Sequence, residues 1–223
     1  RMGDINGDGL PDVICHNENT NGHCNKNDPE VYLNTGSGWT DVSGSWLFPV
    51  KVDDSTRREA FVGNTGQDLG LRLVDVNGDG LGDLVRGKGS AKYVYLNTGS
   101  GWVYNSSWAF PLQGFINSSG QDYGLRMSDI NGDGLPDIIC HNEMTNGNCS
   151  KYNQEMFINN GSGWTPSGSW GFPVKAYDAP KTEVFLNGSL QDAGLRVIDI
   201  NGDGLVDVLY SLREQKAYST GIP

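Results

Sequence analysis

Short apolar runs alternate with breaks rich in glycine and asparagine along the whole chain. One unit reads as an apolar lead-in such as "GLRLVD", an acidic loop, a run such as "DLV", and then "VYLNTGSGW". Such runs, ending at Gly or Asn, are typical of strands joined by tight turns. Asn-Thr-Gly-Ser-Gly before Trp predicts a hairpin with glycines at positive φ. No amphipathic helix is evident, so the sequence predicts an all-β fold of repeated sheets with about four strands each.

The acidic loop occurs four times and defines the repeat. Its copies occupy residues 4–12, 75–83, 129–137 and 199–207. Their starts are separated by 71, 54 and 70 residues, so two neighbouring units form one superrepeat. The starts of the first and third loops are 125 residues apart, and Cys15 and Cys140 are separated by the same distance. We therefore divide the chain into a first superrepeat, residues 1–125, and a second, truncated one, residues 126–223.

Each loop carries the pattern Asp-x-Asn-x-Asp-Gly-x-x-Asp, which suits a hard cation. Ca²⁺ takes about six to eight oxygen ligands, and a glycine at position six allows the sharp turn that brings them together. Positions one, three, five and nine would give side-chain oxygens, and the leucine at position seven its carbonyl. The predicted ligands are Asp4, Asn6, Asp8, Leu10, Asp12, Asp75, Asn77, Asp79, Leu81, Asp83, Asp129, Asn131, Asp133, Leu135, Asp137, Asp199, Asn201, Asp203, Leu205 and Asp207. The sequence thus predicts four Ca²⁺ sites.

Two alternatives compete with this calcium site. Asn-Gly and Asp-Gly are good turn formers on their own, but four copies with every ligand position filled favour a cation. An EF-hand needs Glu at position twelve. That position is held by Cys15, Arg86, Cys140 and Tyr210.

The acidity of the chain is mostly loop acidity. The formal net charge is -11, and the four loops hold twelve of the 27 acidic residues, while the other fifteen nearly balance sixteen Lys and Arg. No basic patch occurs, so we expect no nucleic-acid partner. No apolar run approaches the roughly 20 residues that a membrane-spanning helix needs, so we expect no membrane span.

The loops "DINGDGLPD" and "DVNGDGLGD", each followed by a strand and then "VYLNTGSGW", resemble the FG-GAP/VCBS repeats over essentially the whole chain. The resemblance implies blades of an integrin-α-like β-propeller with calcium-binding hairpin loops. It also implies that the calcium is structural and that partners bind elsewhere on the blades.

The cysteines fall into two pairs with equal spacing. Cys15 and Cys24 are nine residues apart, as are Cys140 and Cys149, and each pair brackets a loop containing Asn-Gly. Two local disulfides are the prediction. The alternative is zinc with the His that follows the first cysteine, although a closed four-ligand site is not evident.

Other recurring residues indicate glycosylation and sheet packing. The Asn-x-Ser sequons lie at Asn105, Asn117, Asn148, Asn160 and Asn187. Six tryptophans form one pair in each of three units, at Trp39 and Trp46, Trp102 and Trp108, and Trp164 and Trp170. Regular recurrence favours packing between adjacent sheets over a row of sugar-stacking platforms.

No catalytic constellation is found, so we expect no enzyme. Disulfides, calcium and sequons together indicate an extracellular or cell-surface protein. The predicted function is a secreted, calcium-stabilised module for recognition or adhesion; the alternative is a building unit of an extracellular fibre or shell. Expected partners are other copies or flanking repeats of the same protein and a glycan or protein ligand. The chain is expected to be a segment of a longer repeat array.

Overall fold

A computed structural model describes residues 1–20, 23–25, 27, 29–108, 110–112, 114–143, 149, 155–168, 170 and 184–210. Sheet 1 contains β1 Met2–Gly3, β2 Asp12–Cys15, β3 Glu30–Asn34 and β4 Trp39–Asp41. Sheet 2 contains β5 Leu71–Val74, β6 Asp83–Lys88, β7 Ala91–Asn97 and β8 Trp102–Tyr104. Sheet 3 contains β9 Leu125–Ser128, β10 Asp137–Cys140, β11 Glu155–Asn159 and β12 Trp164–Pro166. Sheet 4 contains β13 Leu195–Ile198 and β14 Asp207–Tyr210. Over these ranges the fold is all-β, as predicted, and includes no helix.

Every sheet is an antiparallel meander in which consecutive strands are neighbours. The acidic loop joins the first two strands of each sheet, and the "NTGSG" type turn joins the last two strands of sheets 1, 2 and 3. Gly36, Gly99 and Gly161 in these turns have φ of 75°, 77° and 79°, so the predicted hairpin with positive-φ glycine is present in all three four-stranded sheets.

Alternation along the strands supplies apolar side chains to both faces of a sheet. On β6, Leu84 packs in the core between sheets 1 and 2, and Val85 packs in the core between sheets 2 and 3. Successive side chains of a strand point to opposite faces. A strand with neighbours on both sides is therefore apolar at consecutive positions, as in "DLV".

In the described residues, one apolar core lies between each two successive sheets. The first contains Ile14 and Val31 of sheet 1 with Leu71 of sheet 2. The second joins sheets 2 and 3, and the third joins sheets 3 and 4. The sheets are therefore stacked face to face in chain order.

The segment that links one sheet to the next closes each junction in the same way. The backbone amides of Phe61, Phe115 and Phe185 donate to the carbonyls of His16, Gly87 and His141, at 3.1, 3.0 and 3.3 Å. We call these the first, middle and third junctions. His16, Gly87 and His141 are therefore structurally equivalent positions.

An arginine on the first strand of a sheet braces the following junction. Arg72 pairs with Asp68 at 2.8 Å and lies over the ring of Phe115 at 4.9 Å. Arg126 repeats the arrangement over Phe185 at 5.1 Å. A guanidinium over an aromatic face is attracted by the ring quadrupole, so each brace ties one sheet to the next linking segment.

The tryptophans at the first and second cores pack between sheets. The rings of Trp46 and Trp102 lie edge to face at 5.4 Å, and those of Trp108 and Trp164 at 5.0 Å. The packing interpretation is therefore confirmed for these four residues. Trp39 and Trp170 are 51% and 48% exposed.

Sheet 4 exposes apolar side chains that sheets 2 and 3 bury. Val208 and Leu209 of β14 are 44% and 47% exposed, whereas Leu84 and Val85 of β6 are 0% exposed. Because Val208 and Leu209 are consecutive on β14, each face of sheet 4 leaves an apolar side chain exposed among the described residues. No helix in the described residues is long and apolar enough to cross a membrane.

Candidate calcium loops and a polar cleft

The side chains at positions one, three and five shape each acidic loop. In the second loop, the two carboxylate oxygens of Asp75 accept hydrogen bonds from the amides of Gly78 and Gly80, both at 2.8 Å. Asp79 accepts from the amide of Leu81 at 2.9 Å, and Gly80 has a φ of 85°. The other three loops repeat these bonds. The first carboxylate therefore holds the sharp turn.

The ninth carboxylate has a different place. Asp83 is 0% exposed and accepts hydrogen bonds from the amides of Val76 at 2.9 Å and Asn97 at 2.7 Å. Asp12 and Asp137 are also 0% exposed with two amide donors each. This carboxylate ties the loop to the end of the neighbouring third strand of the same sheet.

The pKa values of the loop carboxyl groups shift in opposite directions at position nine and position one. Burial raises the pKa of Asp83 to about 7, against the lowering effect of the Asn97 and Val76 amides. Burial also raises the pKa of Asp137. In the exposed fourth loop, hydrogen bonds from the amides of Gly204 and Gly202 lower the pKa of Asp199.

The donor set of the loops fits a hard cation. A carboxylate offers about four lone-pair sites, so one amide bond to each oxygen leaves room for a metal. Carboxylate, amide and carbonyl oxygens are the ligands that Ca²⁺ prefers. Across the described ranges, no group of three or more His, Cys, Asp or Glu forms a ready metal cluster. The ligands predicted from the sequence, at positions one, three, five, seven and nine, would hold the ion, and Ca²⁺ would neutralise the facing carboxylates.

Sequence analysis did not assign a role to the asparagine of "YLNTGSGW". Asn97 is 4% exposed, and its amide donates to the carbonyl of Ile5 in the loop of sheet 1 at 2.9 Å. Asn159 repeats the contact, donating to the carbonyl of Val76 at 2.8 Å. The recurrence of Asn at one hairpin position was the available signal. These residues connect the acidic loops of neighbouring sheets.

The cysteine loops are closed as their spacing indicated. Disulfides join Cys15 to Cys24 and Cys140 to Cys149, with Cα–Cα distances of 5.3 and 4.9 Å. Sulfur atoms bonded in a disulfide cannot act as thiolate ligands, so this arrangement disfavours zinc. His16 instead donates from Nδ1 to the carbonyl of Glu59 at 2.6 Å.

Beneath the first junction lies a buried charged network. Glu59 is 0% exposed, accepts a hydrogen bond from the Tyr95 hydroxyl at 2.8 Å and lies 3.3 Å from Arg86. Burial raises the pKa of Glu59, against the lowering effects of Arg86 and Tyr95. Because His16 bonds to the backbone of Glu59, the network and the first cysteine loop are connected.

A polar cleft of about 770 Å³ lies above that network, between the first cysteine loop and the linking segment. Its lining is His16, Glu18, Asn19, Thr20, Asn27, Thr56, Arg57, Arg58 and Asn64. Of the charged groups in the lining, Glu18 and Arg57 form ion pairs, and Arg58 donates a hydrogen bond to the backbone carbonyl of Phe48. Lys51 bonds to Glu18, which Arg57 approaches at 3.7 Å, and Arg57 bonds to Asp54 at 2.6 Å.

Four of the five sequons lie in the described residues. Asn160 is exposed, and Asn105, Asn117 and Asn187 are partly exposed. Asn148 lies outside the described residues. Whether any sequon carries a glycan stays a prediction.

The FG-GAP-like repeat family matches residues 4–85 and 75–140, which together span more than half of the sequence. The chain therefore belongs to this family. No curated protein matches it. Among solved structures it is similar to an Agrocybe aegerita lectin that is described as specifically recognising non-reducing terminal N-acetylglucosamine. The identity is 16% and the TM-score 0.52, and the match covers 93% of this chain and 44% of that chain. This likeness concerns the fold alone, and the chain spans less than half of the lectin's length.

Proposed function

We propose that this chain is an extracellular recognition module made of β-propeller-type blades, stabilised by calcium, that acts by binding and not by catalysis. The observation that carries the proposal is the repetition of one acidic loop geometry on four stacked sheets of an FG-GAP-like repeat protein. A repeated rigid scaffold positions loops and junctions for binding.

Two further observations support this proposal. The two local disulfides suit an oxidising compartment. The similar solved structure is described as that of a glycan-binding lectin, so a glycan is the ligand class that we test first.

The test is a glycan array probed with the calcium-loaded chain and, in parallel, with the chain in EDTA. We expect binding to a defined set of glycans, with a loss of signal in EDTA as the loops lose their ions. Binding to no glycan on the array, together with no captured extracellular protein, would contradict the recognition function.

The exposed apolar side chains of sheet 4 favour further packing against flanking repeats or a second copy. Such packing would close a propeller or, in the alternative function, extend a fibre or shell. Sedimentation and negative-stain microscopy separate these outcomes, because filaments that form with calcium would favour the structural role.

A further inference from the structure

We infer that the polar cleft at the first junction is the ligand-binding site, and that its ligand is a neutral, polyhydroxylated group such as the terminal sugar of a glycan. This inference rests on the proposed recognition function and gives it a location. A volume of about 770 Å³ lies within the range of small-ligand sites, roughly 300–1,000 Å³.

The cleft depends on the cysteine loop of the first junction, and the middle junction has no such loop. At the middle junction, Gly87 holds the position of His16, and a Cβ there would lie 2.9 Å from the ring of Phe115. The chain then turns directly from β6 into β7 at Gly89. The first junction instead carries the disulfide-closed cysteine loop, which forms one wall of the cleft.

The third junction repeats the anchoring bonds of the cleft wall. The amide of Glu18 donates to the carbonyl of Val62 at 2.9 Å, and the amide of Glu143 donates to the carbonyl of Leu186 at 2.9 Å. The same backbone contact therefore fixes a glutamate at the junctions that carry cysteine loops.

The chemistry of the lining selects the ligand class. In the described part of the chain, the side-chain amides of Asn19, Asn27 and Asn64 bond to no other protein group, although all three line the cleft. An amide both donates and accepts hydrogen bonds, which matches sugar hydroxyls that do the same. Glu18 and Arg57 are already paired within the protein, and Arg58 already donates to the carbonyl of Phe48, so the ligand need not supply a charge.

A double substitution, Asn19→Ala with Asn64→Ala, tests the site on the full chain with calcium bound. Losing the hydrogen bonds of two side-chain amides predicts a fall of roughly tenfold in affinity for the neutral glycan that the wild type binds best on the array. Ser118→Ala is the matched control, because Ser118 holds the position of Asn64 at the middle junction, and it should change affinity less than about twofold.

A second measurement uses the wild type alone, so its result does not depend on whether the variants fold. Titration of the same glycan should shift the backbone NMR signals of residues 16–20 and 56–64 and leave those of residues 87–89 unchanged. Shifts elsewhere, unchanged affinity of the double variant, or selective binding of sialylated or sulfated glycans would overturn the inference while leaving the recognition function intact. Binding of no glycan by the wild type would also overturn the inference, and it would contradict the recognition function only if no extracellular protein were captured either.

Discussion

The side-chain amide of Asn97 donates a hydrogen bond to the backbone carbonyl of Ile5 across the boundary between sheets 1 and 2, at 2.9 Å. The same amide donates to the carbonyl of Gly82 at 3.1 Å. Because Asp83 accepts from the backbone of Asn97, one hairpin residue links two acidic loops. The spacing of neighbouring loops is therefore set by a side chain outside them.

Replacing Asn97 with Ala should lower the free energy of unfolding by about 1–3 kcal/mol, because the carbonyl of Ile5 loses this donor and the carbonyl of Gly82 keeps only the Trp102 indole. Denaturant unfolding in calcium measures the change. The matched control is Asn34→Ala, whose amide reaches only the carbonyl of Pro11 at 3.3 Å and whose loss should cost under about 1 kcal/mol. Equal costs for both variants would show that the contact between sheets is unimportant.

Trp102→Ala should destabilise the chain far more than Trp39→Ala, although both residues end the same "NTGSGW" motif. Trp102 is 7% exposed and packs on Trp46, whereas Trp39 is 51% exposed. Removing a buried Trp costs about 3–5 kcal/mol, while the exposed one should cost under about 1 kcal/mol. Melting temperatures of the two variants decide this, and similar values would contradict it.

Calcium should bind with four ions per chain and raise the melting temperature. Each ion at a 100-fold excess over its Kd adds about 2.7 kcal/mol of stability. Titration calorimetry of Asp8→Ala should show one site weakened and three retained. Asp41→Ala, an acidic residue outside the loops, serves as the control, and an unchanged melting curve in EDTA would count against structural calcium.

Removal of the first disulfide by Cys15→Ser with Cys24→Ser should cost about 2–3 kcal/mol, because the unfolded chain gains the freedom of an open loop. Thermal unfolding measures this cost. Peptide mapping without reduction should find Cys15 linked to Cys24 and Cys140 linked to Cys149; free thiols or a link between the pairs would refute the assignment.

Glu59 should make stability depend on pH. Burial raises the pKa of Glu59 above its ordinary 4.5, so the folded chain binds the proton more tightly than the unfolded chain. The contribution of Glu59 is therefore present below pH 4.5 and is lost as pH rises through the raised pKa. The unfolding free energy of the wild type minus that of Glu59→Gln should fall as pH rises above 4.5. A constant difference up to pH about 8 would contradict this.

The sequence by itself determined the local features of this protein. Alternating apolar runs, glycines in turns, four acidic loops and two equally spaced cysteine pairs each depend on neighbours within one unit. For that reason the all-β class, the hairpins and the closure of the cysteine loops could be read from spacing alone. The repeat also indicated that the tryptophans pack between sheets.

Tertiary structure decided every feature that joins separate units. Asp83 has the same spacing as a ligand, yet its burial depends on a hairpin amide fourteen residues away. Glu59 meets Arg86 and Tyr95 only because two sheets stack. The polar cleft needs a cysteine loop and a linking segment from different parts of the chain. Such contacts follow from packing in three dimensions, which residue order along one repeat does not specify.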